Sequence, residues 1–286
     1  MALYAYRRVI AQERTCWRLL HRVRWPTGVR CPHCDAGRPW RMQQRGRVEY
    51  RCRQCRRHFN LLTATWLADT RLPLTKWVLA VGLFKVGISA RALAAELQVS
   101  RRVAWRMLHR LRTVLAQDPL GQQLRGHIEL DDTYIGGKQK GPRGRGARHK
   151  TLVIGLKERG GRVRSLVIHT FNSAAVHAIL QTYVAAGARI YTDELRVYAR
   201  LRGLGVSHRR IKHTEGFVRG RTHTQGIEGH WGHVKPTLIA RHRSVRPEHL
   251  QKYLIEADMK HNFPKHHDFI AFMLTRLMTY PEALPH

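Results

Sequence analysis

His127-Ile-Glu-Leu-Asp-Asp-Thr-Tyr-Ile135 is the stretch of sequence that decides the fold. Its apolar, β-branched and aromatic residues predict a strand. Two more strands, at 151–156 and 163–170, follow around a Gly160-Gly161 turn, and a helical pattern at 173–185 precedes a fourth strand at 189–192. This order predicts a mixed sheet flanked by helices, an α/β (α+β) architecture. Beyond it we expect a fifth strand near 206–212 and helices near 225–236 and 247–260.

Acidic residues are scarce, because 19 Asp and Glu stand against 52 Lys and Arg. Asp131 and Asp132 nevertheless lie near the end of the first strand, Asp193 ends the fourth, and Glu228 lies in the following helix. Carboxylates from two strand ends and a helix can converge on two divalent cations, and their hard oxygens suit Mg²⁺ or Mn²⁺. The pattern predicts a two-metal site for phosphodiester chemistry on Asp131, Asp193 and Glu228. For Asp193, a capping role before residues 194–198 is the alternative.

The formal net charge of +33 predicts a polyanionic partner, with nucleic acid the natural one. Charge alone fits an architectural binder equally well. No segment approaches the length of an apolar membrane span, and no secretory signal is evident, so we expect a cytoplasmic protein. Lys235 lies two helical turns after Glu228, on the same face, where it could contact a substrate phosphate.

Four of the five cysteines form two CxxC pairs: Cys31 with Cys34, and Cys52 with Cys55. Two such pairs separated by a hairpin-length spacer are typical of a zinc ribbon, in which four thiolates surround one Zn²⁺. A four-cysteine site leaves no open position on the metal, so its predicted role is structural.

Residues 88–112 have the pattern of helix, tight turn, helix, with Ser89 and Ser100 as N-caps. Leu93, Leu97 and Val99 would pack against Ala104 and Leu108. A helix-turn-helix that binds DNA is predicted, and an ordinary basic helical hairpin is the alternative. The basic residues expected on its second helix are Arg101, Arg102, Arg106, His109, Arg110 and Arg112.

The chain resembles the IS1595 (ISXO2-like) group of bacterial insertion-sequence transposases over almost its whole length, which implies a bacterial, nucleoid-associated protein. The resemblance is carried by the cysteine pairs, Glu129-Leu-Asp-Asp-Thr-Tyr-Ile-Gly-Gly-Lys138, Thr192-Asp193-Glu194 and His223-Thr-Gln-Gly-Ile-Glu-Gly-His-Trp231 with Lys235. It implies a ribonuclease H-like core with a DDE triad on Asp131, Asp193 and Glu228. It further implies Mg²⁺-dependent cleavage at the element's inverted-repeat ends, followed by attack of the freed 3′-hydroxyl on target DNA.

Two departures from the group leave alternatives open. Asp132 stands where the group usually has Glu, which makes it a competing metal ligand. The third residue is assigned as Asn or His in some branches, and here Gln225, His223 and His230 lie near Glu228. Glu228 remains preferred because a charged oxygen ligand suits a hard cation. The glycine-rich loop 136–150 is predicted to contact the DNA backbone through Lys138, Lys140, Arg143 and Arg145, and a disordered, solvated loop in the free protein is the alternative.

These patterns predict three domains: an N-terminal helix and zinc ribbon at 1–60, a helix-turn-helix region at 61–120, and the catalytic core at 121–286. The predicted protein is a transposase that acts on element ends and target DNA as a homodimer or larger assembly. The alternative is a non-catalytic zinc-ribbon/helix-turn-helix regulator or a decayed transposase that only binds DNA.

Overall fold

The computed structural model describes residues 12–44, 47–116, 123–136, 150–198, 201, 204–210, 224–243 and 245–279. The helices and strands are, in chain order, α1 Glu13–Arg24, β1 Trp40–Gln44, β2 Arg47–Arg51, β3 His58–Asn60, α2 Leu74–Val86, α3 Ala90–Leu97, α4 Arg101–Ala116, β4 His127–Ile135, β5 Thr151–Glu158, β6 Val163–Val167, α5 Ser173–Tyr183, β7 Arg189–Thr192, β8 Ser207–Arg210, α6 Gln225–His242, α7 Pro247–Asn262 and α8 His266–Met278.

The chain divides into two compact units, Met1–Leu115 with Phe263–His286, and Ala116–Asn262. The C-terminal helix α8 therefore belongs with the N-terminal part of the chain, a placement that the sequence-based division at 121–286 did not anticipate. In this first unit α8 packs against α1 and α2, with Phe269 beside Phe84. Among the described residues, no helix is long and apolar enough to cross a membrane.

The first unit contains the antiparallel sheet β1-β2-β3 and the predicted pair of helices α3 and α4. Both helices begin at their expected caps, because the Ser89 and Ser100 hydroxyls accept the backbone N–H groups of Ala92 and Val103. Leu93, Leu97, Ala104 and Leu108 are buried, as the apolar pattern predicts. The use of these helices in DNA binding stays a prediction.

The prediction of Arg112 as a surface residue of α4 is wrong. Its side chain is 1% exposed, and the guanidinium carbon lies 5.8 Å from the centre of the Phe84 ring. Leu108 and Leu111 are buried on the same helix, and Arg112 lies on this wide buried face, where Phe84 of α2 covers it.

The second unit is built on a five-stranded sheet in the order β6-β5-β4-β7-β8. β4, β5 and β6 are antiparallel neighbours, whereas β7 runs parallel to β4 and β8 runs parallel to β7. This mixed order confirms the predicted ribonuclease H-like architecture. The predicted strand and helix order is also confirmed, although α6 continues past Pro236 to His242 because Leu238 remains packed in the core beyond the proline.

The two faces of the sheet carry different helices. Ile128 and Leu130 point to the face covered by α5, in one apolar cluster with Leu180. The opposite face is covered by α6 and α7, where Trp231 and Leu254 pack on the strands. Since side chains alternate along a strand, residues 129, 131 and 133 of β4 face α6.

Helix α7 satisfies the backbone of the edge strand β6. Asp258 accepts the backbone N–H of Ser165 at 2.6 Å, and Gln251 accepts that of Val167 at 2.7 Å. Asn262 pairs with both backbone groups of Val163. The side chains of one helix face thus replace the missing neighbouring strand and fix α7, with α6 beside it, on the sheet.

Candidate active site

The neighbouring carboxylates Asp131 and Asp132 of β4 lie on opposite faces of the sheet. The indole N–H of Trp231 in α6 donates to Asp131 Oδ2 at 3.2 Å. The hydroxyl of Tyr198 donates to Asp132 Oδ1 at 3.0 Å, and Tyr198 belongs to the core on the α5 side. Only Asp131 therefore shares the sheet face with the helix that carries Glu228.

Gly155 lets α6 approach the sheet at Asp131. In the antiparallel pairing of β4 and β5, Gly155 lies directly opposite Asp131. A Cβ atom at this position would lie 2.3 Å from the Trp231 ring and 2.7 Å from Ile227, far inside contact distance. The absence of a side chain opens the space in which the indole reaches the carboxylate.

Glu129 anchors the N-terminus of α6 to the same strand. Its Oε2 accepts the backbone N–H of Ile227 at 2.9 Å, and its Oε1 accepts the Arg159 side chain at 3.0 Å. Glu129 is 1% exposed, and a Cβ on Gly226 would lie 2.7 Å from its carboxylate. The carboxylate thus caps the helix at the turn before Glu228, where an acceptor and a negative charge are most stabilising.

The polar contacts around Glu129 continue behind α6. Arg159 lies 4.0 Å from the centre of the Tyr191 ring, and the Tyr191 hydroxyl contacts His127 Nδ1 at 2.8 Å. Lys157 donates to the carbonyl of Gly226 at 3.0 Å.

The sequence prediction missed Glu129 as a residue that helps to build the site. The sequence feature that could have indicated this role is the position of Glu129 two residues before Asp131, which places both side chains on one face of the strand.

Glu228 lies in the first turn of α6, where the Thr224 hydroxyl donates to its Oε1 at 2.7 Å. Asp193 follows β7, and its Oδ1 accepts the backbone N–H of Leu195 at 3.1 Å, so the predicted capping contact is present. Capping uses one oxygen of a carboxylate that can accept several contacts, so it is compatible with a further role.

The acids form one electrostatic cluster around Asp131. Burial, together with the negative charges of Asp132, Asp193 and Glu228, raises the pKa of Asp131 to about 7. The pKa of the Tyr198 hydroxyl is likewise raised, first by burial and then by Asp132. Several carboxylates held together in a strongly basic chain are a donor set that fits a divalent cation.

The carboxylate oxygens are less closely spaced than the cysteine sulfurs. Within the described ranges, the four cysteines are the one group of three or more metal-ligating side chains whose ligand atoms all lie within 4.8 Å of one another. Cys31 and Cys55 have their sulfurs 3.6 Å apart, and Cys34 and Cys52 have theirs 3.5 Å apart. Zn–S bonds of about 2.3 Å place tetrahedral sulfurs about 3.8 Å apart, so the sulfur geometry fits one Zn²⁺.

The alternatives to Glu228 lie in different surroundings. His230 points into a buried polar cluster, with Nε2 3.2 Å from Asp258 and 3.5 Å from the Ser165 hydroxyl. This cluster joins α6, α7 and β6, which gives His230 a packing role. Gln225 is exposed at the first position of α6, and His223 lies outside the described residues.

Lys235 lies on α6 two turns beyond Glu228, close enough to interact electrostatically with Asp131. Its pKa is lowered by burial, while Asp131 raises it and Lys150 lowers it. The ammonium group is thus half-buried beside the acids, as its spacing from Glu228 suggested.

The predicted DNA-contacting residues divide into two groups. On α4, Arg101, Arg102 and Arg106 are exposed, whereas Arg110 is half-buried, with its guanidinium 5.7 Å from the centre of the Trp77 ring. The loop residues lie outside the described part of the chain: Lys138, Lys140, Arg143 and Arg145.

Comparison with known proteins gives matches over most of the chain. A family model described as the ISXO2-like transposase domain matches residues 123–262, and one described as the transposase zinc-ribbon domain matches residues 11–58. The chain is 30% identical over 272 residues to an uncharacterized protein in transposable element ISH50 of Halobacterium salinarum, which covers 86% of this chain and 90% of that protein.

Two further matches are shorter or more distant. An uncharacterized transposase-like protein of Haemophilus influenzae is 30% identical over 101 residues, covering 35% of this chain and 81% of that protein. Among solved structures, the catalytic core domain of BIV integrase matches with 15% identity and a TM-score of 0.34, covering 48% of this chain and 84% of that one.

Proposed function

The chain belongs to the ISXO2-like transposase family, and on that premise we propose that it cuts the ends of its insertion sequence and joins them to target DNA. The observation that carries the proposal is the electrostatic interaction of Asp131 with the other two predicted acids. These acids, Asp193 and Glu228, interact with Asp131 in a chain whose charge is otherwise strongly positive.

In this proposal Asp131, Asp193 and Glu228 hold divalent cations, with Mg²⁺ preferred for hard oxygen ligands. A pair of such ions supplies activation of the attacking oxygen and stabilisation of the leaving oxygen. Asp131 is proposed over Asp132 because it shares a face with α6, whereas Asp132 accepts the Tyr198 hydroxyl on the other side.

The chain's own residues position the substrate and the acids. Lys235 binds a substrate phosphate beside Asp131 and compensates the negative charge of that phosphate. This contact places the scissile bond at the carboxylates. Trp231 holds the Asp131 carboxylate through its indole N–H, and Glu129 holds the helix start from which Glu228 projects. The four cysteines hold a structural Zn²⁺ in the ribbon.

The decisive experiment is cleavage of DNA that contains the element's ends, with Mg²⁺, by the wild-type protein and by Asp193→Asn. We expect cleavage by the wild type and its loss in the variant, with DNA binding retained by both. Equal cleavage by both proteins would contradict the assigned site. DNA binding without cleavage by either protein would favour the non-catalytic DNA binder.

We further propose that the protein acts as a dimer or larger assembly on DNA, because joining two ends requires two active sites held together. Analytical ultracentrifugation with and without end DNA measures this directly. A monomer in both samples would contradict the assembly.

A further inference from the structure

The pairing between the strands that carry Asp131 and Asp193 ends just before these acids. The parallel ladder of β4 and β7 ends with Glu129 opposite Tyr191. Continued by two residues, the same register would bring Asp131 beside Asp193 on one face of the sheet. The chain instead leaves the sheet after β7 and enters a short 3-10 helix, Arg196–Tyr198. The spacing between the two acids therefore depends also on the contacts of the segment that follows β7.

Residues 193–198, here called the 193–198 segment, are held by two elements of the same unit. The hydroxyl of Ser173, at the start of α5, donates to the carbonyl of Val197 at 3.2 Å. The guanidinium of Arg210, in β8, donates to the carbonyl of Glu194 at 2.5 Å. These two contacts orient the segment, but neither of them reaches β4.

The hydroxyl of Tyr198 connects the 193–198 segment to β4. It donates to Asp132 Oδ1 at 3.0 Å, on the α5 side of the sheet. The Tyr198 ring is fully buried and packs edge-on against Phe171, with 5.9 Å between the ring centres. Burial and the charge of Asp132 raise the pKa of Tyr198, so the hydroxyl keeps its proton and stays a donor. The end of the segment is thus fixed relative to β4.

Asp132 is better placed for this contact than for binding the cations. Asp131 accepts the indole N–H of Trp231 on the α6 face, whereas Asp132 lies on the opposite face. A carboxylate removed from water needs a donor, and the Tyr198 hydroxyl supplies one. The two neighbouring acids of β4 therefore have different surroundings and can have different roles.

We propose that Asp132 and Tyr198 are positioning residues for the metal site: their hydrogen bond holds the 193–198 segment where Asp193 and Asp131 can bind the same cations. Asp132 itself binds no cation. Side chains that orient metal ligands in this way commonly contribute about ten- to a hundredfold to metal affinity. The inference rests on the proposed function for the identity of the ligands, but cation binding can be measured without DNA.

Mn²⁺ binding to the full-length protein without DNA is measured by the loss of the electron paramagnetic resonance signal of free Mn²⁺. Tyr198→Phe keeps the buried ring and removes only the hydroxyl, so its Mn²⁺ affinity should fall about tenfold. In the cleavage assay, the Mg²⁺ concentration for half-maximal rate should rise by a similar factor, with the rate at saturating Mg²⁺ close to that of the wild type.

Tyr50→Phe is the matched control. Tyr50 is 4% exposed, and its hydroxyl contacts His21 Nε2 at 3.1 Å in the other unit. The control therefore loses a buried hydroxyl of the same kind, away from the acids. It should leave the Mn²⁺ affinity and the Mg²⁺ dependence unchanged.

Substitutions of Asp132 separate positioning from cation binding. Asp132→Asn keeps an oxygen that can accept the Tyr198 hydroxyl, whereas Asp132→Ala removes it. We expect Asp132→Asn to bind Mn²⁺ at least about tenfold more tightly than Asp131→Asn does, and Asp132→Ala to bind it no more tightly than Tyr198→Phe. Adding Tyr198→Phe to Asp132→Ala should lower the affinity no further, because the hydrogen bond is already lost.

Unchanged Mn²⁺ affinity in Tyr198→Phe would overturn the proposal. A loss in Asp132→Asn as large as that in Asp131→Asn would overturn it as well and make Asp132 a ligand. A wild-type protein that binds no Mn²⁺ at these acids would overturn both the positioning pair and the metal site.

The cleavage assay separates this proposal from the proposed function. Cleavage that depends on Asp193, with unchanged Mn²⁺ affinity in Tyr198→Phe, would remove the positioning pair alone. Weaker Mn²⁺ binding by Tyr198→Phe, in a protein that cuts no DNA, would support the pair and reject the nuclease function.

Discussion

The cysteine cluster and the carboxylate cluster are both sets of metal-ligating side chains, but the chain builds them in opposite ways. The four cysteines come from two short turns close in sequence, and their sulfurs all lie within 4.8 Å of one another. The acids come from β4, the end of β7 and the start of α6, and they are held by the packing of a whole unit. The four cysteines, which fit one Zn²⁺, come from a single small ribbon, whereas the folded unit holds the acids together.

The two clusters also differ in how they affect the free energy of folding. A thiolate set closed around Zn²⁺ contributes its binding free energy to folding. The Asp131 carboxylate is instead buried and repelled by its acidic neighbours, and both effects raise its pKa and destabilise its charged form in the metal-free protein. The two clusters should therefore respond in opposite directions to substitution of one ligand.

The largest effect is expected from Cys52→Ser. Metal binding at a structural zinc site contributes about 10 kcal/mol to folding, so the variant should lose both its zinc and the ribbon structure. Zinc content and limited proteolysis measure the two losses. Cys16→Ala is the matched control: Cys16 is buried in α1 outside the cluster, so this variant should keep its zinc. Full zinc content in Cys52→Ser would contradict the site.

Asp131→Asn should abolish cleavage and at the same time stabilise the metal-free catalytic unit. The pKa of Asp131 is about 7 in the folded protein, above its ordinary value of 3.8. The folded protein favours the protonated form of Asp131. The contribution of this side chain to stability is therefore fully present below pH 4 and is lost as the pH rises through 7. At pH 8 the variant should be more stable by roughly 2 to 4 kcal/mol, with cleavage reduced about 10³-fold or more.

Thermal unfolding at pH 4 and pH 8 without Mg²⁺ tests the sign. The wild type and Asp131→Asn should differ at pH 8 and converge at pH 4. A less stable variant at pH 8 would show that the burial of the charged Asp131 carboxylate and its repulsion by the other acids do not dominate.

Glu129→Ala tests whether the fold positions the acids through the start of α6. It leaves the N–H of Ile227 and the Arg159 side chain without their acceptor, which costs about 3 kcal/mol. Cleavage should fall about tenfold because Glu228 is no longer fixed relative to Asp131. Glu129→Gln keeps an acceptor and should restore part of the activity.

Glu158→Ala is the control for that loss of stability. Glu158 binds Arg162 and the backbone N–H of Arg125, and within the described part of the chain no hydrogen bond or ion pair joins it to α6. This variant should lose stability yet keep its cleavage rate per folded molecule and its dependence on Mg²⁺ concentration. An unchanged Mg²⁺ dependence in Glu129→Ala as well would reject the positioning role.

The smallest effect is expected from Gly155→Ala. The added methyl group would overlap Trp231 and Ile227, which costs about 1 to 3 kcal/mol in a packed core. Gly229→Ala in α6 is the matched control, because nothing lies within 4 Å of its added Cβ. It should stabilise the helix by roughly 0.5 to 1 kcal/mol. Urea unfolding measures both, and equal effects would contradict close packing at Gly155.

The parts of the fold that follow from local pattern could be predicted from sequence. The apolar, β-branched and aromatic residues of His127–Ile135 predict β4 at its observed bounds, and serine caps locate the starts of α3 and α4. The cysteine spacing similarly predicts a cluster, because two turns and a hairpin lie between the ligands.

The contacts that join distant parts of the chain could not be predicted in this way. Glu129 and Ile227 are 98 residues apart, and Trp231 and Asp131 are 100 apart, so no local period relates them. The continuation of α6 past Pro236 and the burial of Arg112 also depend on packing partners elsewhere in the sequence. At both positions, burial against distant residues decided the structure, and local propensity did not.

The placement of α8 in the first unit has a consequence for how the protein is made. Its partners α1 and α2 leave the ribosome early, but α8 is translated only after the whole of Ala116–Asn262. At roughly 5 to 20 residues per second, this surface, including Phe84, waits on the order of ten seconds or more for Phe269. The nascent N-terminal part is therefore exposed to chaperones and proteases until the last helix is synthesised.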